Sequence, residues 1–470
     1  MDEFLREINT LVFKQWILSQ TNDDYSIKLK EDDDSVIVID TAYSHSEITF
    51  NKMSIIEFIV TNLTTNNAEF YLHFQMNTLS HAIELYEEML DAIKKLVKKP
   101  VKKILLSCSG GLTTGFFAEK LNEIATLLDL DYEFSAVPYN ELFESGKQYD
   151  IVLLAPQISY MHAKVEEALK NKVVLKIPPQ TFAKYDAGKM ISLIQEALSK
   201  NKGETIKTAP LSLKQSIDNT CKILTIALIR GNEQVFFDYR IYNKHNQIIL
   251  DGEVIKSKVS LNDLYDIIDT VTVEHPDIKI ISISMPGIIN DGRLSWVESG
   301  FNDYDIMHYL TKKYPYQFLI SNDVNCIAAG YYVSQDQYSS LSFMFIPLMG
   351  RYGGIGNIVN GQLLTGRKNI AGEMKYLPID IVSFENDKTK ILDDSIEMMA
   401  KTVTCIIAML DPETIIISSY FLKDSDELLN KTKKYLPEKY IPPIVLIDSL
   451  KEYNLLGQMV LAARHFNAYK

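Results

Sequence analysis

Residues 104–121, ILLSCSGGLTTGFFAEKL, end an aliphatic run in Cys108, pass through Ser109-Gly110-Gly111 and enter a segment of helical spacing. A thiol in that place meets the start of a helix, where unpaired backbone N–H groups and the helix dipole favour negative charge. Its pKa is expected below the free value of about 8.5, which makes Cys108 a thiolate nucleophile near neutrality. The backbone of Ser109, Gly110, Gly111, Leu112, Thr113, Thr114 and Gly115 would also cradle a phosphoryl group. Ser109, Thr113 and Thr114 add hydroxyl donors, and the glycines admit close approach. A hydrolytic phosphocysteine loop needs an arginine to stabilise transition-state charge. The sixth residue after Cys108 is Thr114, and residues 101–201 hold no arginine. The loop therefore suits a phosphoryl carrier better than a phosphatase.

A second constellation lies in SNDVNCIAAG, residues 321–330. Asp323 could take a proton from a sugar hydroxyl, and Asn322 could hydrogen-bond a neighbouring one. The same pattern also serves as a helix cap. GRYGGIGNIVNG, 350–361, reads as a glycine hairpin open to phosphates or a sugar ring, and AGEMKY, 371–376, supplies Glu373.

The elements that must position these groups follow from periodicity. A helix over about 2–19, five alternating segments (YSIKL, SVIVID, SEITF, SIIEFIV, EFYLHFQM) and a helix at 79–97 predict a small α+β module over 1–97. Residues 101–201 alternate strand and helix, the pattern of βαβ units and a parallel sheet, with ligands beyond the carboxyl ends of the strands. NKGETIKTAPLSLKQS breaks the pattern. From 217 to 470, two antiparallel runs each lead into α/β segments, which suggests internal duplication. The fold class expected is α/β multidomain.

With 470 residues, two or three domains are expected. No apolar run approaches the roughly 20 residues that span a bilayer, and MDEFLREINTLVFKQW carries charges through its apolar positions, unlike a secretory signal. The four cysteines, Cys108, Cys221, Cys326 and Cys405, form no CxxC pair. That argues against a disulfide framework or a zinc site and fits a cytoplasmic protein. A net charge of -13 disfavours nucleic acid as a partner. One exception is KKLVKKPVKK, 94–103, with six lysines, read as a solvated helix end or a docking patch for an acidic partner.

CSGGLTTGFFAEKL, with DIVLLAPQISYMHAKVEEAL, resembles the enzyme IIB component of the lactose/cellobiose class of the bacterial sugar phosphotransferase system. The resemblance implies a four-stranded parallel, doubly wound domain over 101–201. It also implies that Cys108 accepts phosphate from a phosphohistidine on enzyme IIA, with residues 109–115 as its cradle. A separate membrane enzyme IIC would be a further partner. Residues 221–467, through SMPGIIN, SNDVN, GGIGNIVNGQLLTG, AGE, LDPETIIIS and NLLGQMVLAA, resemble the ROK family of sugar kinases and repressors, with an actin-like two-lobed fold. That resemblance makes Asp323 the counterpart of the catalytic base, matches Asn322 and Glu373 to sugar-binding positions, and implies a homodimer.

The departures from the ROK pattern bear on ATP. ILTIALIRGNEQ stands where a nucleotide loop Asp-x-Gly-Gly-Thr belongs, Tyr376 stands where the family has histidine, and IIISSYF replaces an adenine-side Gly-Gly. The cysteine-rich zinc motif is absent, and PIDIVSFENDKTK offers no substitute. Without phosphate-cradling loops, ATP would lose its positioning. The expected cofactor is none, apart from covalent phosphate on Cys108. The functional expectation is a phosphocysteine domain coupled to a catalytically degenerate sugar-sensing domain that binds sugar or sugar phosphate and regulates carbohydrate uptake or metabolism. A ROK-type regulator without phosphotransfer and a residual sugar kinase are the alternatives.

Overall fold

The computed structural model describes residues 3–22, 25–97, 102–110, 112–127, 132–169, 172–201, 219–231, 234–347, 352–379, 388–419, 421–422 and 424–466. Gly111, residues 98–101 of the lysine-rich segment, the connector 202–218 and residues 380–387 of PIDIVSFENDKTK lie outside them.

The chain opens with α1 (Glu3–Leu18), β1 (Ser26–Lys30), β2 (Asp33–Asp40), β3 (Ser44–Phe50), β4 (Ile55–Asn62), β5 (Ala68–Gln75) and α2 (Leu79–Val97). The five strands pair antiparallel in sequence order. In α2 the residues Ala82, Leu85, Tyr86, Met89, Ile93 and Leu96 are buried, the spacing that puts one stripe of a helix on a sheet. From α1, Phe13 and Ile17 reach the core, Phe13 stacking 6.4 Å from Phe58.

Strand and helix then alternate as β6 (Lys102–Cys108), α3 (Leu112–Leu127), β7 (Tyr132–Pro138), α4 (Leu142–Ser145), β8 (Ile151–Leu154), α5 (His162–Ala168), β9 (Val173–Lys176), α6 (Pro179–Lys184) and α7 (Ala187–Asn201). The sheet runs β7-β6-β8-β9, all parallel. From β6 the chain crosses to β7 on one side, and from β8 it crosses to β9 on the other. The strand order thus reverses between β6 and β8, which opens a crevice at their carboxyl ends. Cys108 is the last residue of β6.

The remainder holds β10 (Lys222–Arg230), β11 (Val235–Tyr242), β12 (Ile248–Lys256), α8 (Asn262–Glu274), β13 (Ile278–Met285), β14 (Ile288–Asn290), β15 (Arg293–Trp296), β16 (Phe301–Asp305), α9 (Ile306–Thr311), β17 (Gln317–Asn322) and α10 (Asp323–Ser334). After them come β18 (Leu341–Ile346), β19 (Gly354–Val359), β20 (Gln362–Leu363), α11 (Lys388–Leu410), β21 (Thr414–Ser419), α12 (Asp426–Thr432), β22 (Ile444–Leu446) and α13 (Leu450–His465). Strands β12-β11-β10-β13-β17 and β20-β19-β18-β21-β22 have the same order. In each, three antiparallel strands are followed by two parallel ones. The duplication expected from the sequence is present in the topology.

The chain divides into two compact units, Met1–Lys94 with Lys207–Lys470, and Lys95–Ile206. The sequence reading sets 1–97 apart as a module. In the structure its strands extend the larger unit's sheet, because β5 lies beside β12 in one ten-stranded sheet. Each strand otherwise presents an unpaired edge, and pairing satisfies both. Polar side chains fasten the junction. Gln234 Nε2 donates to the Glu69 carbonyl at 2.8 Å, and the Tyr239 hydroxyl meets His73 Nε2 at 2.8 Å. A Cβ at Gly252 would come within 2.2 Å of the Tyr239 ring, so glycine there lets the tyrosine lie across β12 toward His73. Buried Lys256 bridges Asp263 at 2.6 Å and Glu88 at 2.8 Å.

Candidate functional site

In the smaller unit, β6 delivers Cys108 to the crevice and α3 begins four residues later. Ser109 and Gly110 are exposed, while Thr114 is fully buried in the first turn of α3. A Cβ at Gly110 or at Gly115 would meet nothing within 4 Å, so neither glycine is demanded by packing. They leave open space for an approaching group. Leu112 starts α3, Thr113 follows it as an exposed residue, and Gly111 lies outside the described residues.

The sulfur is buried at the end of β6. Cys108 is 4% exposed and belongs to the apolar cluster with Leu106, Phe117, Ala155, Ile177 and Phe182. Its Sγ lies 3.2 Å from Thr114 Oγ1. The thiol therefore stands at the helix start, as the spacing requires, and is buried. Its position closing a central strand between two buried faces is what covers it. The segment 155–161 after β8 flanks the same crevice and exposes Gln157 and Tyr160, which lie in the DIVLLAPQISYM stretch that carries the IIB resemblance.

In the larger unit, Asn322 ends β17 and caps α10. Its Oδ1 accepts from Asn325 N at 3.0 Å, and its Nδ2 donates to the Gly287 carbonyl at 2.9 Å. One donor and one lone pair remain for a ligand. Asp323 is 9% exposed and accepts from its neighbour Val324 N at 2.8 Å. Burial pushes its carboxyl from the ordinary 3.8 up to about 7, and the charge of Glu373 adds to this. Glu373 is itself raised by burial, against the nearby Lys375 ammonium at 3.5 Å. Asn322, Asp323 and Glu373 thus converge, and two carboxylates share one desolvated place, a pattern that clusters at functional sites. Asn325 joins them with a buried side-chain oxygen that has no partner among the described residues.

Packing accounts for two glycines of the hairpin. A Cβ at Gly353 would stand 1.6 Å from the Phe345 carbonyl, and one at Gly356 2.6 Å from the Val324 carbonyl. These glycines serve internal packing of β19 on β18 and α10. Gly372, with φ of +94°, lets its chain pass against Ile355 and so sets Glu373 beside Gly354.

The buried carboxyl gives a pH prediction. With a folded pKa near 7 against 3.8, Asp323 contributes stability below about pH 4 that is lost as pH rises through about 7. Asp323→Asn should remove that slope and stabilise the larger unit at pH 8 by up to about 4 kcal/mol. Denaturant titrations of both proteins at pH 5 and pH 8 check it; an unchanged slope would count against the burial of a titrating carboxyl.

Residues 103–219 match the family model described as PTS system, Lactose/Cellobiose specific IIB subunit, and residues 258–391 match that of the ROK family. The chain fuses a IIB-like domain to a ROK-like domain. The IIB-like domain is 33% identical over 67 residues to the oligo-beta-mannoside-specific EIIB component of Bacillus subtilis (strain 168), spanning 14% of this chain and 65% of that protein. The chain thus covers just under two thirds of this relative. Among solved structures, the lactose-specific IIB component domain of Streptococcus pneumoniae aligns over 21% of this chain and 98% of its own, at 21% identity and a TM-score of 0.20. The ROK hexokinase of Thermus thermophilus aligns over 52% of this chain and 99% of its own, at 14% identity and a TM-score of 0.42. The IIB match falls on the parallel, doubly wound unit, and the ROK match falls within the repeated sheets of the larger unit. No helix among the described residues is long and apolar enough to cross a membrane.

Proposed function

We propose that the chain is a phosphoryl-responsive sugar sensor of a bacterial sugar phosphotransferase system. Cys108 accepts the phosphoryl group of a phosphohistidine on enzyme IIA. The S–P bond forms as the N–P bond breaks, and the departing imidazole takes up the thiol proton. The ROK-like domain holds a sugar or sugar phosphate at Asn322, Asp323 and Glu373 without turning over ATP. Joined in one cytoplasmic chain, working as a homodimer, the two domains report phosphorylation state and sugar together and control carbohydrate uptake or metabolism. A separate enzyme IIC carries the sugar across the membrane. No zinc and no nucleic acid enter this reading.

The observation that carries it is Cys108 at the carboxyl end of β6, in a segment that matches the IIB family, beside glycines that packing does not need. Because Cys108 is buried, transfer requires its surroundings to move when enzyme IIA docks. The test is intact mass after incubation with phosphoenolpyruvate, the general phosphotransferase proteins and a lactose/cellobiose-class IIA. One phosphate should be gained, and Cys108→Ser should lose it. A wild-type chain that stays unlabelled with a proven active IIA overturns the proposal.

A further inference from the structure

Where the N-terminal strands join the ROK-like sheet, a concavity of about 350 Å³ opens between the start of α2 and α8. It is lined by Asn77, Thr78, Ser80, His81 and Glu84 from one side and by Asn262, Tyr265, Asp266 and Lys313 from the other. Every one of these side chains carries a polar group. The volume is at the lower end of the roughly 300–1,000 Å³ usual for small-molecule sites.

The lining is anchored from behind. His81 Nε2 lies 2.9 and 3.1 Å from the two oxygens of Asp266, which is 7% exposed. Lys313 Nζ pairs with Asp269 at 2.7 Å, and Asn77 Nδ2 donates to the same carboxylate at 3.4 Å. Asn262 Oδ1 accepts from the Tyr309 hydroxyl at 2.8 Å. Tyr265 stacks on Tyr309 at 4.4 Å, and Lys313 stands 4.1 Å over its ring. The asparagines and the histidine are thus held by one end. Asn262 Nδ2, Asn77 Oδ1 and His81 Nδ1 have no partner among the described residues. The hydrogen bond to the Asp266 carboxylate raises the pKa of the His81 imidazole.

We infer that this concavity binds a neutral polyhydroxylated molecule of monosaccharide size, and that residues 1–97 serve to complete it. Two facts fix the chemical class. Asp266 is paired with His81 and Asp269 with Lys313, which leaves the Glu84 carboxylate as an acceptor for hydroxyls that disfavours an anion. Donors and acceptors remain interleaved on planar or hydroxyl groups, which suits vicinal hydroxyls. Both faces of Tyr265 are taken, so the ligand is held by hydrogen bonds and not by ring stacking. None of its lining residues belongs to the Asn322, Asp323 and Glu373 site.

Saturation-transfer NMR on the full chain tests it, with glucose, galactose, mannose and N-acetylglucosamine as probes. The cleft variant Asp323→Ala/Glu373→Ala should keep saturation transfer to at least one of them. Asn262→Asp, which retains the acceptor for Tyr309 but removes the free donor, combined with Ser80→Ala, should weaken it at least tenfold. Both altered residues are exposed, and an unchanged melting profile shows that the variant is folded. Loss of the signal in the cleft variant overturns the inference. So does an unchanged signal in the Asn262/Ser80 variant, tighter binding of glucose 6-phosphate than of glucose, or no signal from any probe. None of these outcomes depends on whether Cys108 accepts phosphate.

Discussion

Gly457→Ala should lower the melting temperature of the larger unit by roughly 4 °C, from a loss of about 3 kcal/mol. Helices α10 and α13 cross at Gly330 and Gly457. A Cβ on Gly457 would lie 1.8 Å from the Cys326 carbonyl, and one on Gly330 would lie 1.8 Å from the Tyr453 carbonyl. Both obstacles are backbone atoms of helices, so no side-chain rotation relieves the overlap. The helices must separate, and the gap opens contacts of Leu456, Met459 and Ala328, all buried now. Since α10 begins at Asp323, the displacement also reaches the carboxyl pair, so the sugar affinity proposed for that pair should fall with stability. Calorimetric melting of the variant measures the first effect. A shift under 2 °C would show that the helices do not cross this closely.

Glu452→Ala should cost about 3–5 kcal/mol, the usual penalty for leaving a buried charge without its partner. Arg240 is 1% exposed, and its two Nη atoms donate to the Glu452 oxygens at 2.8 and 2.9 Å. Its Nε donates to Asp251 at 2.9 Å, a carboxylate that is half in solvent. Removing Glu452 strands most of the guanidinium in the core. Replacing both ends, Arg240→Met with Glu452→Leu, removes the stranded charge and should return to within about 1 kcal/mol of the parent. Denaturant titration of the two variants separates the cases. If the double variant is as unstable as Glu452→Ala, the loss comes from packing and not from an unpaired charge.

Local patterns were legible because they depend on neighbours in the chain. Alternation in SVIVID and EFYLHFQM and helical spacing in LSHAIELYEEMLDAIKKLV produce β2, β5 and α2 where the periodicity places them. The glycine loop after ILLSC likewise produces strand end, turn and helix start. Asp323 and Glu373, fifty residues apart, were paired only through the ROK resemblance, since nothing local links them.

By itself, the amino-acid sequence determined the order of strands and helices, the repeated antiparallel-then-parallel halves and the thiol at the head of α3. Each of these follows from side-chain period and turn chemistry within a short window. Only the tertiary structure decided that β5 would lie against β12 and make residues 1–97 part of the larger unit, because edge pairing brings together residues about 180 apart. It also decided that Cys108 is covered, that two glycines of GGIGNIVNG serve packing, and that His81 meets Asp266. Burial and close approach depend on what another part of the chain places opposite, and that partner is not written in the local pattern.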